Sequence, residues 1–373
     1  MKVLCLCFWF YDYTIQFANA LSRRCTVMLL IPDTVSQEYL NLIDEQIEVQ
    51  QFEYYRSSSG GFFSIFPMIR TIIRQARAFN PDIIHYQAHN PVLCAILPFL
   101  RSYPQVATIH DVKPHPGEDS IFHRGAVPQK ILLYYSRKYS DKIFVHGEYL
   151  KKEMMENYSV RGEIVHAIPM GEHEVEPFTR YWNEHLPEDA GTILFFGRIY
   201  AYKGLDCLIK AEPFITKEVP DAKIIIAGVG EDFSKYEKMM VNRERFIIHN
   251  YLIPYAEGAA LFQRSSVVVL PYKEASQSGV ITTAYGFGKP VIVTDVGSIP
   301  EMVDEGKTGF IVPPRDPEAL AGAIVTLLKN NEQRKMMGEN GLKKLKTDLS
   351  WETIVETAIF PVYEQALPKR VSG

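Results

Sequence analysis

The sequence predicts an α/β protein, with two doubly wound units in tandem that face a central cleft. Three observations carry this expectation. The chain has 373 residues, 47% hydrophobic and 23% charged, the balance of a soluble globular protein too long for one ordinary core. Short apolar runs alternate with helical patterns, as in parallel sheets covered by helices on both faces. The alternation lapses once, over the polar, proline-containing stretch from Met170 to Ala190, and then restarts. The expected domains are therefore 1–175 and 176–350, with a last segment, 351–373, crossing back to the first.

In the first half the short Val/Ile-rich runs Val3–Phe8, Thr26–Ile31, Ile47–Phe52, Asp82–Tyr86, Gln105–His110, Lys142–Val145 and Glu163–Ile168 read as strands. Helical patterns separate them over Tyr13–Arg23, Ile65–Phe79, Pro91–Arg101, Pro128–Tyr139 and Glu148–Tyr158. In the second half the strands are Thr192–Phe196, Lys223–Ala227, Phe246–His249, Val267–Leu270, Val291–Thr294 and Gly309–Val312. Helices Gly204–Thr216, Glu231–Val241, Pro254–Gln263 and Gly279–Gly286 lie between them, and Pro317–Lys329, Glu332–Leu345 and Trp351–Leu367 close the chain.

Composition excludes some classes. A net charge of −4 lacks the basic excess of a nucleic-acid binder. Five scattered cysteines without metal or redox spacing point to buried thiols in a reducing, cytoplasmic setting. Lys2, the apolar run Val3 to Tyr11 and Ala18-Asn19-Ala20 have the outline of a signal peptide. Asp12 interrupts that run, and the segment reads better as a first strand and an amphipathic helix. No run approaches the ~18 apolar residues of a membrane span.

Open α/β sheets bind ligands at the carboxyl ends of their strands, so the residues just after strands are the candidates. The densest stretch is Pro271–Glu301. A buried strand there gives way to the small residues Ala275-Ser276-Gln277-Ser278-Gly279 and then to a helix beginning around Val280. Free backbone N–H groups and the positive end of a helix dipole converge at such a turn and suit an anion. Glu274, at the mouth of the loop, suits neutral hydroxyls better than phosphate. Thr192–Phe196 ends at Gly197-Arg198, with Lys203-Gly204 close behind. These two cations suit a diphosphate, Arg as a planar fork and Lys as a point charge; a solvated surface pair is the alternative. Gly228 and Gly230, after Lys223–Ala227, let backbone approach a base or ribose.

In the first half His110-Asp111 ends a strand, where a catalytic histidine and a satisfied core histidine both fit. His85 and His146 hold similar positions and read as structural or cleft-lining, with Gly147 and Glu148 as a candidate contact. His115 and Glu118, in the loop after Asp111, either reach the cleft or belong to a surface loop. No Asp-x-Asp pair, His-Glu-x-x-His, Gly-x-Ser-x-Gly or Walker loop occurs. The chemistry left is a diphosphate site built without metal ligands.

At this point Phe196-Gly197-Arg198, Lys203-Gly204, the region around Glu274, Gly288-Lys289-Pro290-Val291, Asp295-Val296-Gly297 with Pro300-Glu301, and Gly306-Lys307-Thr308-Gly309-Phe310 resemble the signature of retaining glycosyltransferases of family four. The match is dense from Gly191 to Leu367 and looser before Ile168, where His110-Asp111 and Ile168-Pro169-Met170-Gly171 keep the expected order. The resemblance implies two Rossmann-like domains in the GT-B architecture and transfer with retention from a nucleotide sugar. UDP is the favoured carrier and GDP the next, and no cofactor or metal is required. Arg198 and Lys203 would neutralise the leaving diphosphate, Glu274 would accept hydrogen bonds from the donor sugar, and His110 would contact that sugar from the opposite domain. Gly197, Gly228, Gly230, Gln277, Ser278, Gly279, Val280 and Thr283 would hold the donor, and Tyr13, Asp111, Gly147 and Glu148 would lie on the acceptor side. The acceptor implied is a saccharide or lipid-linked saccharide of surface polysaccharide or glycoconjugate synthesis. The leaving phosphate would take the acceptor proton.

The chain departs from the family pattern in two places. Of the family's two glutamates, the second falls on Thr283 and the first on Ala275, with Glu274 one residue early. The N-terminal glycine-rich loop is replaced by Phe10-Tyr11-Asp12-Tyr13-Thr14. A nucleotide-sugar epimerase of the same architecture and a non-catalytic sugar-nucleotide binder are the rival readings. The aromatic, glycine-rich segment from Tyr54 to Phe63 and the arginines Arg70, Arg74 and Arg77 on one helix face fit peripheral contact with anionic lipid at the inner membrane face, or an ordinary solvated face.

Overall fold

The computed structural model describes residues 1–54, 65–87, 90–113, 129–172 and 175–367. Among these, residues 1–168 with 351–367 form one compact unit and residues 169–350 form another.

The first unit is built on strands β1 (Lys2–Leu6), β2 (Thr26–Pro32), β3 (Glu48–Phe52), β4 (Ile83–Gln87), β5 (Gln105–Ile109), β6 (Lys142–His146) and β7 (Val165–Ile168). They form one parallel sheet in the order β3-β2-β1-β4-β5-β6-β7. The second sheet holds β8 (Thr192–Phe196), β9 (Lys223–Ala227), β10 (Phe246–His249), β11 (Val267–Leu270), β12 (Val291–Thr294) and β13 (Gly309–Val312). Its order is β10-β9-β8-β11-β12-β13, also parallel. In each sheet the order reverses once, at β1/β4 and at β8/β11, as in a doubly wound fold. Central strands such as β4, β5, β11 and β12 are buried along their whole length. With both faces covered there is no polar alternation, which is why these strands read as continuous apolar runs.

The C-terminal segment packs into the first unit. The Trp351 ring meets Tyr13 edge-on at 4.6 Å and Phe17 at 5.7 Å. Tyr363 Oη lies 2.5 Å from His85 Nδ1, and His85 Nε2 lies 2.7 Å from Thr108 Oγ1. Arg23 and Arg24 pair with Glu352 and Glu356, each at 2.8 Å.

Several expected helices differ. Glu231–Val241 shortens to Ser234–Glu237. Asp232 accepts from the Ser234 N–H and hydroxyl, a local turn that competes with helix. Pro91–Arg101 is helical to Ile96 and tightens to a 3₁₀ turn over Leu97–Leu100, where Pro98 has no N–H to continue the ladder. A short helix, Val175–Thr179, lies in the stretch read as a polar connection. The closing helix contains a π turn over Val355–Ile359 just before Pro361, where the same missing donor breaks the α pattern.

Candidate functional site

In the second unit the loops leaving β8, β9, β11 and β12 are stitched to one another by backbone. The Gly197 N–H donates to Ala227 O at 2.9 Å, Ile199 N–H to Val229 O at 3.0 Å and Glu231 N–H to Ile199 O at 2.8 Å. Gly204, at φ +70°, ends the 3₁₀ turn Ala201–Lys203 and opens the helix Leu205–Glu218. A Cβ there would lie 1.8 Å from Pro271 O, so only glycine lets the two loops touch. The Lys273 N–H then donates to Tyr202 O at 2.7 Å, and the Ser298 N–H to Ser276 O at 3.1 Å. The strand ends therefore present one framework rather than separate loops.

On this framework Arg198 is exposed and Lys203 half-buried. The Lys203 ammonium lies 3.8 Å from the centroid of the Tyr272 ring and 5.1 Å from that of Tyr202. Neighbouring Lys273 is instead paired with Asp206 at 2.6 Å. Among the described residues no carboxylate pairs with Lys203. Ser278 is the N-cap of the eight-residue helix Gly279–Gly286, yet its side chain caps no N–H of the first turn. Its Oγ lies 3.1 Å from Tyr272 Oη. Gln277 Oε1 and Ser298 Oγ are buried with no hydrogen-bond partner among the described residues, which marks a place where a ligand's polar groups fit. Glu274 is exposed on the same loop. Thr283 is buried and its hydroxyl donates to Gly279 O at 3.2 Å, as that of Thr282 does at 2.7 Å. Gly228 packs against the Gly197 carbonyl, Val280 is half-buried beside Gly197, and Gly230 is exposed.

In the first unit His110 sits just past β5, buried, with Nε2 2.7 Å from Gln87 Oε1. Phe10 stacks on its ring at 4.0 Å, Tyr13 meets it edge-on at 4.6 Å, and His146 lies at 5.0 Å. Phe10 caps the helix Tyr11–Ser22 at φ 59°, a left-handed conformation unusual for so bulky a residue. It falls where the family's glycines are missing, and in this chain an aromatic ring holds the turn against His110. Tyr13 is fully buried, and burial pushes its phenol well above the ordinary range. Asp111 is half-buried, while Gly147, at φ +99°, is buried and opens the helix whose first residue, Glu148, is exposed. His115 and Glu118 lie outside the described residues, as does the segment 55–63. Arg70, Arg74 and Arg77 are all exposed on the helix Ile65–Phe79, whose opposite face buries Met68, Ile72 and Ala76. No described helix is long and apolar enough to cross a membrane.

Two of the sequence blocks have structural work. Lys289 is buried and bonded to Glu188 at 2.9 Å, and Arg334 reaches the same carboxylate at 2.9 Å. Burial alone would raise the Glu188 carboxyl, but the two cations hold it below its usual range. In Gly306–Gly309 the Thr308 hydroxyl accepts from Tyr285 Oη at 2.8 Å and from the Asp304 N–H at 3.0 Å, which fixes the turn into β13. Tyr272 and Ser298 were missed by sequence reasoning. A tyrosine next to an apolar strand looks like core, and only the neighbouring Gly297 hinted at Ser298.

Residues 190–330 match the family model of glycosyl transferases group 1, and residues 12–171 match that of glycosyltransferase family 4. An uncharacterised glycosyltransferase of Methanocaldococcus jannaschii is 29% identical over 289 residues, 76% of this chain and 75% of that protein. A glycosyltransferase from Rickettsia africae superposes with a TM-score of 0.73 at 18% identity over 99% of each chain. Anabaena HepE, solved in complex with UDP, gives 0.69 at 16% identity over 98% of this chain and 99% of its own. These structural likenesses establish the fold, two Rossmann-like units of the GT-B kind. With a family match on each half of the sequence, the chain belongs to the family 4, group 1 glycosyltransferases and is a glycosyl-transferring enzyme.

Proposed function

We propose that this enzyme moves a sugar from a nucleotide-sugar donor to a saccharide or lipid-linked acceptor in surface polysaccharide or glycoconjugate synthesis, with retention at the anomeric carbon. The observation that carries the reading is Lys203, which has no carboxylate partner among the described residues, beside the N-terminus of the helix Gly279–Gly286, which the Ser278 side chain leaves uncapped. Both favour negative charge. The substrate that needs two cations and a helix N-terminus together is a diphosphate, and HepE's complex with UDP favours uridine over guanosine as its base.

The second unit, 176–350 in outline, is the donor side. Arg198 and Lys203 stabilise the charge that builds on the diphosphate as the glycosidic bond breaks. The backbone of Gln277-Ser278-Gly279 and Val280 receives phosphate or sugar oxygens. Gly197, Gly228, Gly230 and Thr283 border the nucleoside, and Glu274 accepts hydrogen bonds from the donor sugar. The leaving phosphate takes the acceptor proton, so the reaction calls on no metal and no cofactor beyond the substrate. The first unit is the acceptor side. Its His110 contacts the sugar, Asp111 and Glu148 offer polar contacts, and buried Tyr13 and Gly147 shape the site through packing. The enzyme works in the cytoplasm, and the exposed Arg70, Arg74 and Arg77 face brings it to anionic lipid. Liposome flotation of the wild type against the triple Arg→Glu variant tests that contact, and equal flotation removes it.

The test of the reaction is to incubate the protein with UDP- and GDP-sugars, with and without saccharide acceptors. Acceptor-dependent release of the nucleoside diphosphate, with the donor's anomeric configuration kept in the product by NMR, is the expected result. An isomerised nucleotide sugar formed without acceptor would replace this reading with an epimerase.

A further inference from the structure

Resting on the donor-site reading above, we infer that Tyr272 is the positioning residue of the diphosphate clamp. It holds the Lys203 ammonium in place without neutralising it, and it draws Ser278 away from capping the helix that receives the phosphate. A lysine has a flexible stem, so a useful one must be held still before its ligand arrives. An ion pair would hold it but would cancel the charge. That is the state of Lys273, tied to Asp206 at 2.6 Å. An aromatic face attracts the ammonium through its quadrupole and leaves the charge intact. Lys203 is in this second state, 3.8 Å from the Tyr272 centroid with the Tyr202 ring at 5.1 Å. The N–H bonds directed away from the ring remain for an incoming oxygen.

The other end of Tyr272 acts on the helix. A serine at an N-cap ordinarily accepts from an N–H of the first turn. Ser278 does not, and its Oγ lies 3.1 Å from Tyr272 Oη. The Ile281 N–H bonds Ser278 O at 3.3 Å, so the N–H groups of Gly279 and Val280 are the ones thereby left to a ligand, beside Gln277 Oε1, which is buried with no hydrogen-bond partner among the described residues. One ring organises both halves of the site, and it is itself rigid. Tyr272 is 2% exposed, and Thr294 Oγ1 donates to its carbonyl at 2.6 Å.

Titration calorimetry with UDP and GDP on the wild type and on Tyr272→Phe, Tyr272→Leu, Lys203→Ala and Lys203→Ala/Tyr272→Leu tests the inference. Tyr272→Leu is expected to weaken binding by about tenfold or more, while Tyr272→Phe, which keeps the ring under Lys203 and loses only the hydroxyl that holds Ser278, should weaken it by about threefold. In the Lys203→Ala background the leucine substitution should add no more than about threefold, the share carried by Ser278, because the rest acts through that lysine. Wild-type affinity in Tyr272→Leu, or a loss undiminished in the double variant, overturns the inference alone. Wild-type affinity in Lys203→Ala overturns the donor-site reading and the inference with it. If Tyr272→Leu fails to fold, pentafluorophenylalanine at position 272 keeps the shape and removes the attraction. Binding weaker than in Tyr272→Phe then supports the inference, and equal binding overturns it.

Discussion

Gly204 shows how much of the site rests on one backbone position. It shares φ +70° with Gly306, but a Cβ on Gly204 would lie 1.8 Å from Pro271 O whereas one on Gly306 would meet nothing within 4 Å. The pair separates backbone strain from collision. Gly306→Ala should cost about 1 kcal/mol of unfolding free energy, the left-handed penalty alone. Gly204→Ala should cost about 2–4 kcal/mol, because the loop carrying Tyr272 must also move. Denaturant melts of both variants check this, and equal losses would mean that the contact with Pro271 is easily relaxed. At this scale Arg198, Lys203 and the Ser276–Gly279 loop stood out as candidates because cations and small residues after an apolar run have few structural uses. Lys289 shows the reverse. Its motif looked like part of the chemistry, but its charge is spent on Glu188, a partner that lies far away in sequence. Tyr272 was hidden because nothing in its neighbourhood distinguishes a ring under a lysine from a ring in the core.

Among the elements, the strands were the most legible, with β8 to β13 matching their apolar runs residue for residue except where loops extend the pairing. Helix limits were harder wherever a proline or an Asx turn acted against the periodicity, as at Pro98, Asp232 and Pro361. The last segment packs into the first unit, as expected, but the contacts that fix it could not be read from spacing: Trp351 on Tyr13 and Phe17, the Arg23 and Arg24 ion pairs, and a buried hydrogen-bond chain from Tyr363 through His85 to Thr108. His85 lies in that chain as a neutral imidazole, since burial lowers its pKa from 6.5 to about 3. With the folded value depressed, the unfolded chain binds the extra proton below pH 6.5. The contribution of His85 is fully present above that pH and is lost as pH falls toward about 3. Between pH 7 and 5 this group should remove about 2 kcal/mol of stability. His85→Gln should therefore show a shallower fall than the wild type over that range in chemical denaturation. Identical slopes would place the acid sensitivity elsewhere.

For the whole molecule, two parallel sheets, each reversing once, and a chain that returns at Trp351 to the unit it began with make the fold of this family. The alternation of apolar runs and helices was enough to read that architecture, because doubly wound sheets repeat it many times over. The residues proposed for the donor side stood out for a related reason, since several motifs fall at fixed distances along one sheet. The proposed acceptor side rests on single residues such as His110 and Tyr13, which a sequence does not distinguish from core. The proposed role of Arg198 and Lys203 is to stabilise the departing diphosphate of a nucleotide-sugar donor. The most direct measurement is kcat/KM for that donor in Arg198→Ala and Lys203→Ala beside the wild type. A fall of about 10²-fold or more is expected in each, and near-normal turnover in both would rule that role out.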